Sequence, residues 1–352
     1  MNTEYLEELA RIRSNIKEAL GFATQDKLLA AKQPESEGHF LLIEQIFQNQ
    51  LYVLKHAELL AHDSLPSEQL TYASIWLDIQ FWISKLGCFY ERTSLMIKRS
   101  TAAADLVGDE FSSRANSIIG LSIILARFTE IACATNPPLT WIQDEQLMRC
   151  LVDTAKSIYI RIFSTLEELI TSSYTTLVSS GKICKVETEL TELLNLCEQI
   201  PCNVLKEDSK LTETASILEK IQMKIKKMAS NEHASFFRII RHITDSYLPK
   251  ENRKADLPFW TFFFHARNSL LHKKGWGTCN CSIELWGRSY KIEKDTPFVL
   301  FKDGSFIILS FKLIEIFVDL MLKISEEEYL LSEWAEIKKN YLTIGIPTLA
   351  TN

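Results

Sequence analysis

One stretch of the chain concentrates side chains able to handle a phosphodiester: Phe262-Phe-Phe-His-Ala-Arg-Asn-Ser-Leu-Leu-His-Lys-Lys-Gly275. Arg267 supplies a permanent cation, Asn268 an amide, and His272 an imidazole, the side chain whose ordinary pKa lies nearest neutrality. These groups are sufficient for RNA cleavage without a metal or other cofactor. The 2′-hydroxyl attacks its neighbouring phosphate. A neutral imidazole takes the hydroxyl proton, or an imidazolium protonates the leaving 5′-oxygen. A guanidinium holds the phosphate in a fork and stabilises charge on its oxygens. The amide orients the arginine, the histidine or the phosphate.

On a helix advancing about 100° per residue, Thr261, His265, Asn268 and Ser269 fall within about 60° of His272 and form one polar face. Phe263, Ala266 and Leu270 lie opposite. Arg267 falls in the apolar arc with Phe264 and Leu271, where a guanidinium must pair or reach along a groove. The candidate catalytic residues are therefore Arg267, His272 and Asn268. The candidate substrate-binding residues are Lys273, Lys274, His265 and Ser269. A bland alternative exists, because a helix dipole favours basic residues such as His272, Lys273 and Lys274 just before a terminating Gly275.

Charge favours the first reading. From Lys250 to Lys294 there are nine Lys/Arg against four Asp/Glu, a net +5 in a chain whose formal charge is −6. Such a basic island on an acidic protein suits a local phosphate-binding cleft.

These residues need elements to hold them. Glycine is scarce, 11 of 352 residues, which favours long helices over a many-stranded sheet or a glycine-cradled nucleotide site. Apolar spacing predicts helices over 2–21, 39–62, 68–99, 105–134, 140–179 and 183–200, and shorter ones over 209–229, 233–247, 259–273 and 309–337. The aromatic run Trp76, Ile79, Trp82, Ile83, Leu86 reads as core rather than as a stacking platform. Residues 249–256 read as a polar linker. Residues 282–293 and 297–308 read as a small β-hairpin turning at Asp303-Gly304. The expected fold is mainly all-α: a helical array over 1–205, a possible regulatory or partner-binding region, then a four-helix unit over 206–352 with an inserted hairpin.

Arg267-Asn268-x-x-x-His272 resembles the Arg-polar-x3–5-His motif of the HEPN superfamily (higher eukaryotes and prokaryotes nucleotide-binding), with Asn as the polar residue and a four-helix setting. The resemblance covers roughly 205–352. It implies that Arg267 and His272 form a catalytic pair assisted by Asn268. It further implies that two copies of the motif face each other across a homodimer, and that the substrate is RNA. Many members are toxins or effectors of antiviral defence, some held by an antitoxin; others have lost catalysis and serve as dimerisation or binding modules. Where one group of members carries a Tyr two residues after the His, this chain has Lys274, which argues against its being the target of an AMPylating antitoxin. A non-catalytic module and a helical scaffold stay open as alternatives.

Homodimerisation has a second ground in the sequence. The terminal helix carries more apolar residues than one stripe needs, among them Phe311, Ile314, Phe317, Leu320 and Met321, and the motif helix is expected to expose Phe262. Several classes are excluded: no Walker loop, dinucleotide fingerprint, Gly-x-Ser-x-Gly elbow or His-Glu-x-x-His occurs. Glu4, Glu7 and Glu8 replace the basic start of a signal peptide, and no apolar stretch approaches a membrane span. A cytoplasmic protein with no membrane partner is expected. Its eight cysteines are expected to be reduced and mostly buried, with Cys279-x-Cys281 a weak zinc signal lacking a second knuckle.

Overall fold

The computed structural model describes residues 3–32, 34–62, 67–134, 145–183, 196–198, 214–222, 236–273, 275–298, 305–325 and 329–342. The fold is mainly α-helical with one small antiparallel hairpin. Four long helices come first: α1 (Thr3–Ala30), α2 (Pro34–His62), α3 (Ser67–Lys98) and α4 (Thr101–Ala134). They are followed by α5 (Glu145–Ser179), α6 (Phe236–Tyr247) and α7 (Lys250–His272). The hairpin β1 (Cys281–Leu285) and β2 (Arg288–Ile292) precedes α8 (Ser305–Ser325) and α9 (Tyr329–Leu342). No described helix is long and apolar enough to cross a membrane.

The chain divides into two compact units. One joins residues 1–166 to 254–352, and the other comprises 167–253. This partition runs across the boundary expected near 205. The reason lies in α3, which is buried on every side from Trp76 to Ile97 apart from isolated positions. It packs against α1, α2 and α4, and also against α8 and α9 from the far end of the chain. A helix buried all round needs partners all round, and distant segments supply them.

The apolar surplus of the terminal segment has the same explanation. α8 buries sixteen of its residues, Phe311, Ile314, Phe317, Leu320 and Met321 among them, against α3, α4 and α9 of its own chain. Ring contacts Phe89–Phe311, Phe111–Phe317 and Phe89–Trp334 mark the shared core. The surplus therefore does not call for a second copy. The segment read as one helix over 309–337 is two, α8 and α9.

Local signals account for several boundaries. Ser100 caps α4, its Oγ accepting from the Ala103 N–H at 2.9 Å. Pro34 opens α2, the position where a missing N–H costs least. The hairpin turns at Trp286 and Gly287, both at positive φ (50° and 75°), the geometry of a two-residue loop. The turn thus falls within 282–293; Asp303-Gly304 lies outside the described residues, and Ile307 and Ile308 belong to a helix. The stretch 249–256 is likewise not a linker, because α7 already begins at Lys250 and carries Pro258 inside it. Most of the helices expected at 183–200 and 209–229 lies outside the described residues; the described parts, 196–198 and 214–222, are helical.

Charge is buried where α1 meets α3. Asp78 is fully buried, with Arg11 at 3.3 Å, and burial pushes its carboxyl up to about 7. One face further along, Lys85 is equally enclosed, its Nζ 4.8 Å from the centre of the Trp82 ring. Burial pulls its amine down to about 7, and Glu18 offsets part of that. Nearer the C-terminal end of α3, Tyr341 of α9 donates to Asp26 at 2.6 Å and lies 2.9 Å from the Cys88 thiol. Arg92 bridges Asp26 and Glu333. Of the five cysteines whose side chains are described, Cys88 is buried, Cys150 and Cys197 are exposed, and Cys279 and Cys281 are half-buried, so these thiols are less enclosed than expected.

In the second unit, α6 turns Phe236, Ile239, Ile240 and Ile243 inward. Its His242 Nδ1 meets the Tyr174 hydroxyl at 2.9 Å. Gly181, at φ 72°, ends α5 with a Lys182 N–H bond back to the Leu177 carbonyl.

Candidate functional site

Arg267, Asn268 and His272 lie on the last two turns of α7. The helix is fixed from one side by α5. There the Tyr159 hydroxyl donates to the Phe263 carbonyl at 2.8 Å, and Tyr159 and Phe163 set their rings against Phe263 and Phe264. From the other side comes the segment between α7 and β1. Gly275, at φ 91°, ends the helix, and its N–H bonds to the Ser269 carbonyl at 2.9 Å. Gly277 exchanges bonds with Asp295 and Thr296, laying the segment antiparallel to the residues after β2.

Arg267 is half-buried. Its guanidinium carbon stands 5.9 Å from the centre of the Phe163 ring, and its Nη1 donates to Asn268 Oδ1 at 2.9 Å. An aromatic face and a neighbouring amide thus hold the guanidinium that the apolar arc leaves in need of a partner. Asn268 orients the arginine, one of the roles open to it. His272, one turn further, is exposed, as is Lys273. Lys274 lies outside the described residues.

Two of the expected substrate-binding residues face elsewhere. Ser269 is 0% exposed; its Oγ donates to the His265 carbonyl at 2.8 Å and accepts from the Thr278 N–H at 3.2 Å. His265 is half-buried, with Nδ1 3.2 Å from Thr278 Oγ1, and burial lowers its pKa. Both residues fasten the hairpin segment to the helix. Phe262, expected on the surface, is also 0% exposed. The buried stripe runs through Phe262, Phe263, Ala266 and Ser269, so the core lies nearer the polar arc than the residue types suggest. Leu271, assigned to the apolar side, is 45% exposed between Asn268 and His272.

Arg267, Asn268 and His272 thus lie on the last two turns of α7 with Lys273 just beyond its open end; Arg267 is turned to Phe163, His272 is exposed, and His265 and Ser269 face Thr278. Thr278, Tyr159 and Phe163 position the site and have no signature in the sequence. Chemically, the open end offers a fixed guanidinium, which can hold an anion, and an exposed imidazole, which can give or take a proton.

The Cys279 and Cys281 thiols lie 3.5 Å apart, and burial first, then Cys279, pushes Cys281 up to about 12. Among the described residues no third His, Cys, Asp or Glu joins them as a metal-ligand set. Comparison with family models, curated proteins and solved structures finds no match to this chain.

Proposed function

We propose that the protein is a metal-independent endoribonuclease of HEPN type, acting as a toxin or antiviral defence effector. The carrying observation is the fixed Arg267: the Phe163 face and the Asn268 amide hold its guanidinium on the same helix as an exposed His272 five residues on. A preset cation is what stabilisation of a developing phosphorane charge requires. In this reading the 2′-oxygen bonds to phosphorus as a neutral imidazole takes its proton. The bond from phosphorus to the 5′-oxygen breaks as an imidazolium delivers a proton there. Arg267 balances the charge on the non-bridging oxygens throughout, and a 2′,3′-cyclic phosphate results.

One exposed motif imidazole per chain favours a pair of chains, each contributing one His272 to a shared groove. That arrangement follows from the family resemblance, since α8 leaves no apolar surplus to argue for it. An antitoxin or regulatory partner would engage the N-terminal helices. The test is incubation of the purified chain with total RNA in excess EDTA. Fragments ending in 2′,3′-cyclic or 3′-phosphate, absent with His272→Ala and absent for a strand carrying a deoxyribose at the cut, support the reading. Fragments with 3′-hydroxyl ends, or strict dependence on Mg2+, overturn it.

A further inference from the structure

Trp276 is 49% exposed although it sits on tightly held backbone. Its own N–H bonds to the Lys273 carbonyl at 3.0 Å, and it bridges to Pro297. On one side Gly275 occupies φ 91°, and on the other Gly277 bonds to Thr296 at 2.8 Å. There is no slack at Gly277, since a Cβ there would stand 2.0 Å from the Glu293 carbonyl oxygen. The indole is thus presented to solvent by a segment that cannot easily fold it away. Exposing so large an apolar ring on rigid backbone forgoes the burial that would otherwise stabilise the fold.

The place of the ring is informative. The Trp276 backbone follows the end of α7 by four residues and is bonded to the Lys273 carbonyl, so the ring is rooted close along the chain to the exposed His272 and Lys273. Cationic and imidazole groups beside an exposed indole make the combination that binds unpaired nucleotides: charge for the phosphates, a π-face for a base.

We infer that Trp276 is the stacking platform for a base of the RNA held at Arg267 and His272, and that the RNA is single-stranded there. A duplex keeps its bases stacked on one another and offers none to a protein ring. The inference rests on the ribonuclease reading for the identity of the strand, but it concerns binding and is measured separately.

The experiment uses the full chain in EDTA with a fluorescein-labelled 2′-O-methyl oligonucleotide, which cannot be cleaved by 2′-attack, and the same strand made abasic. Anisotropy gives the affinities. Trp276→Ala is expected to weaken binding of the intact strand about 5- to 150-fold, the range for loss of one stacked base, and Trp276→Phe to retain most of it. The abasic strand should bind wild type and Trp276→Ala alike. Equal affinity of wild type and Trp276→Ala for the intact strand overturns the proposal, as does an intact strand that is not bound, or one bound no better than the abasic strand. A Trp276→Ala chain that loses a protein partner with its RNA affinity unchanged marks a protein-docking residue and overturns it as well. If Trp276→Ala weakens binding while wild type cleaves no ribose-containing strand, the platform stands and the nuclease reading falls.

Discussion

Lys85→Met removes an ionisable amine that the fold holds in its core. The side chain is 0% exposed, and its amine, ordinarily near 10.5, is lowered to about 7 by burial. Between those two values the unfolded chain carries a proton that the folded chain has shed. Unfolding therefore takes up a proton, and stability rises with pH across that interval. At about 1.4 kcal/mol per pH unit, the whole interval corresponds to about 5 kcal/mol, and the stretch from pH 7 to 8.5 to about 2 kcal/mol. Asp78 works in the opposite direction. With its carboxyl raised from 3.8 to about 7, the folded chain holds the extra proton between those values, and stability falls as pH rises through them. The wild type should thus show a minimum of stability near pH 7. Methionine has nearly the length of lysine and no charge, so Lys85→Met should be more stable than wild type at pH 7, by up to about 5 kcal/mol, and should lack the rise above it. Urea unfolding followed by circular dichroism at pH 6, 7, 8 and 8.5 measures both chains, and their difference cancels groups common to the two. A Lys85→Met chain that is less stable than wild type at pH 7, or that keeps the same rise to pH 8.5, refutes the reasoning.

Further expectations concern the site and its supports. Arg267→Ala and His272→Ala should each abolish most RNA cleavage, and the double variant should lose little more than either, because groups acting as a unit are non-additive; a product of the two separate losses would show independent action. Arg267→Ala should also cost about 1 kcal/mol of stability through the lost contact with Phe163, whereas exposed His272→Ala should leave urea midpoints unchanged. Gly277→Ala forces a Cβ against the Glu293 carbonyl and should destabilise by about 1–3 kcal/mol or more, seen as a lower melting temperature; an unchanged melting temperature would mean the segment yields freely. Thr278→Val keeps the shape but removes the hydroxyl 3.2 Å from His265 Nδ1, and NMR titration should show the His265 pKa moving; an unchanged value would mean the hydroxyl does not bond to the ring.

Local periodicity carries a large part of this fold by itself. Glycine scarcity and repeats of three and four residues specify helices, and Trp76, Trp82 and Leu86 are core, as their apolar spacing suggests. A hairpin between the motif helix and the terminal helices was legible from its alternation, although its turn was placed at Asp303-Gly304 rather than Trp286-Gly287. The motif was legible as a helical one because Asn268 and His272 stand four residues apart on that helix, with Arg267 next to Asn268. What periodicity cannot supply is the partner of each face. Whether Ser269 faces solvent or core depends on Thr278 lying over it, and whether Arg267 is solvated depends on Phe163, on a helix far earlier in the chain. The same limit governs Lys85, polar by type yet enclosed by helices that converge from separate parts of the chain. It also governs α8, whose apolar excess points equally to a second copy or to α3, α4 and α9. Burial is a property of what packs against a residue, and only the tertiary structure brings those neighbours together.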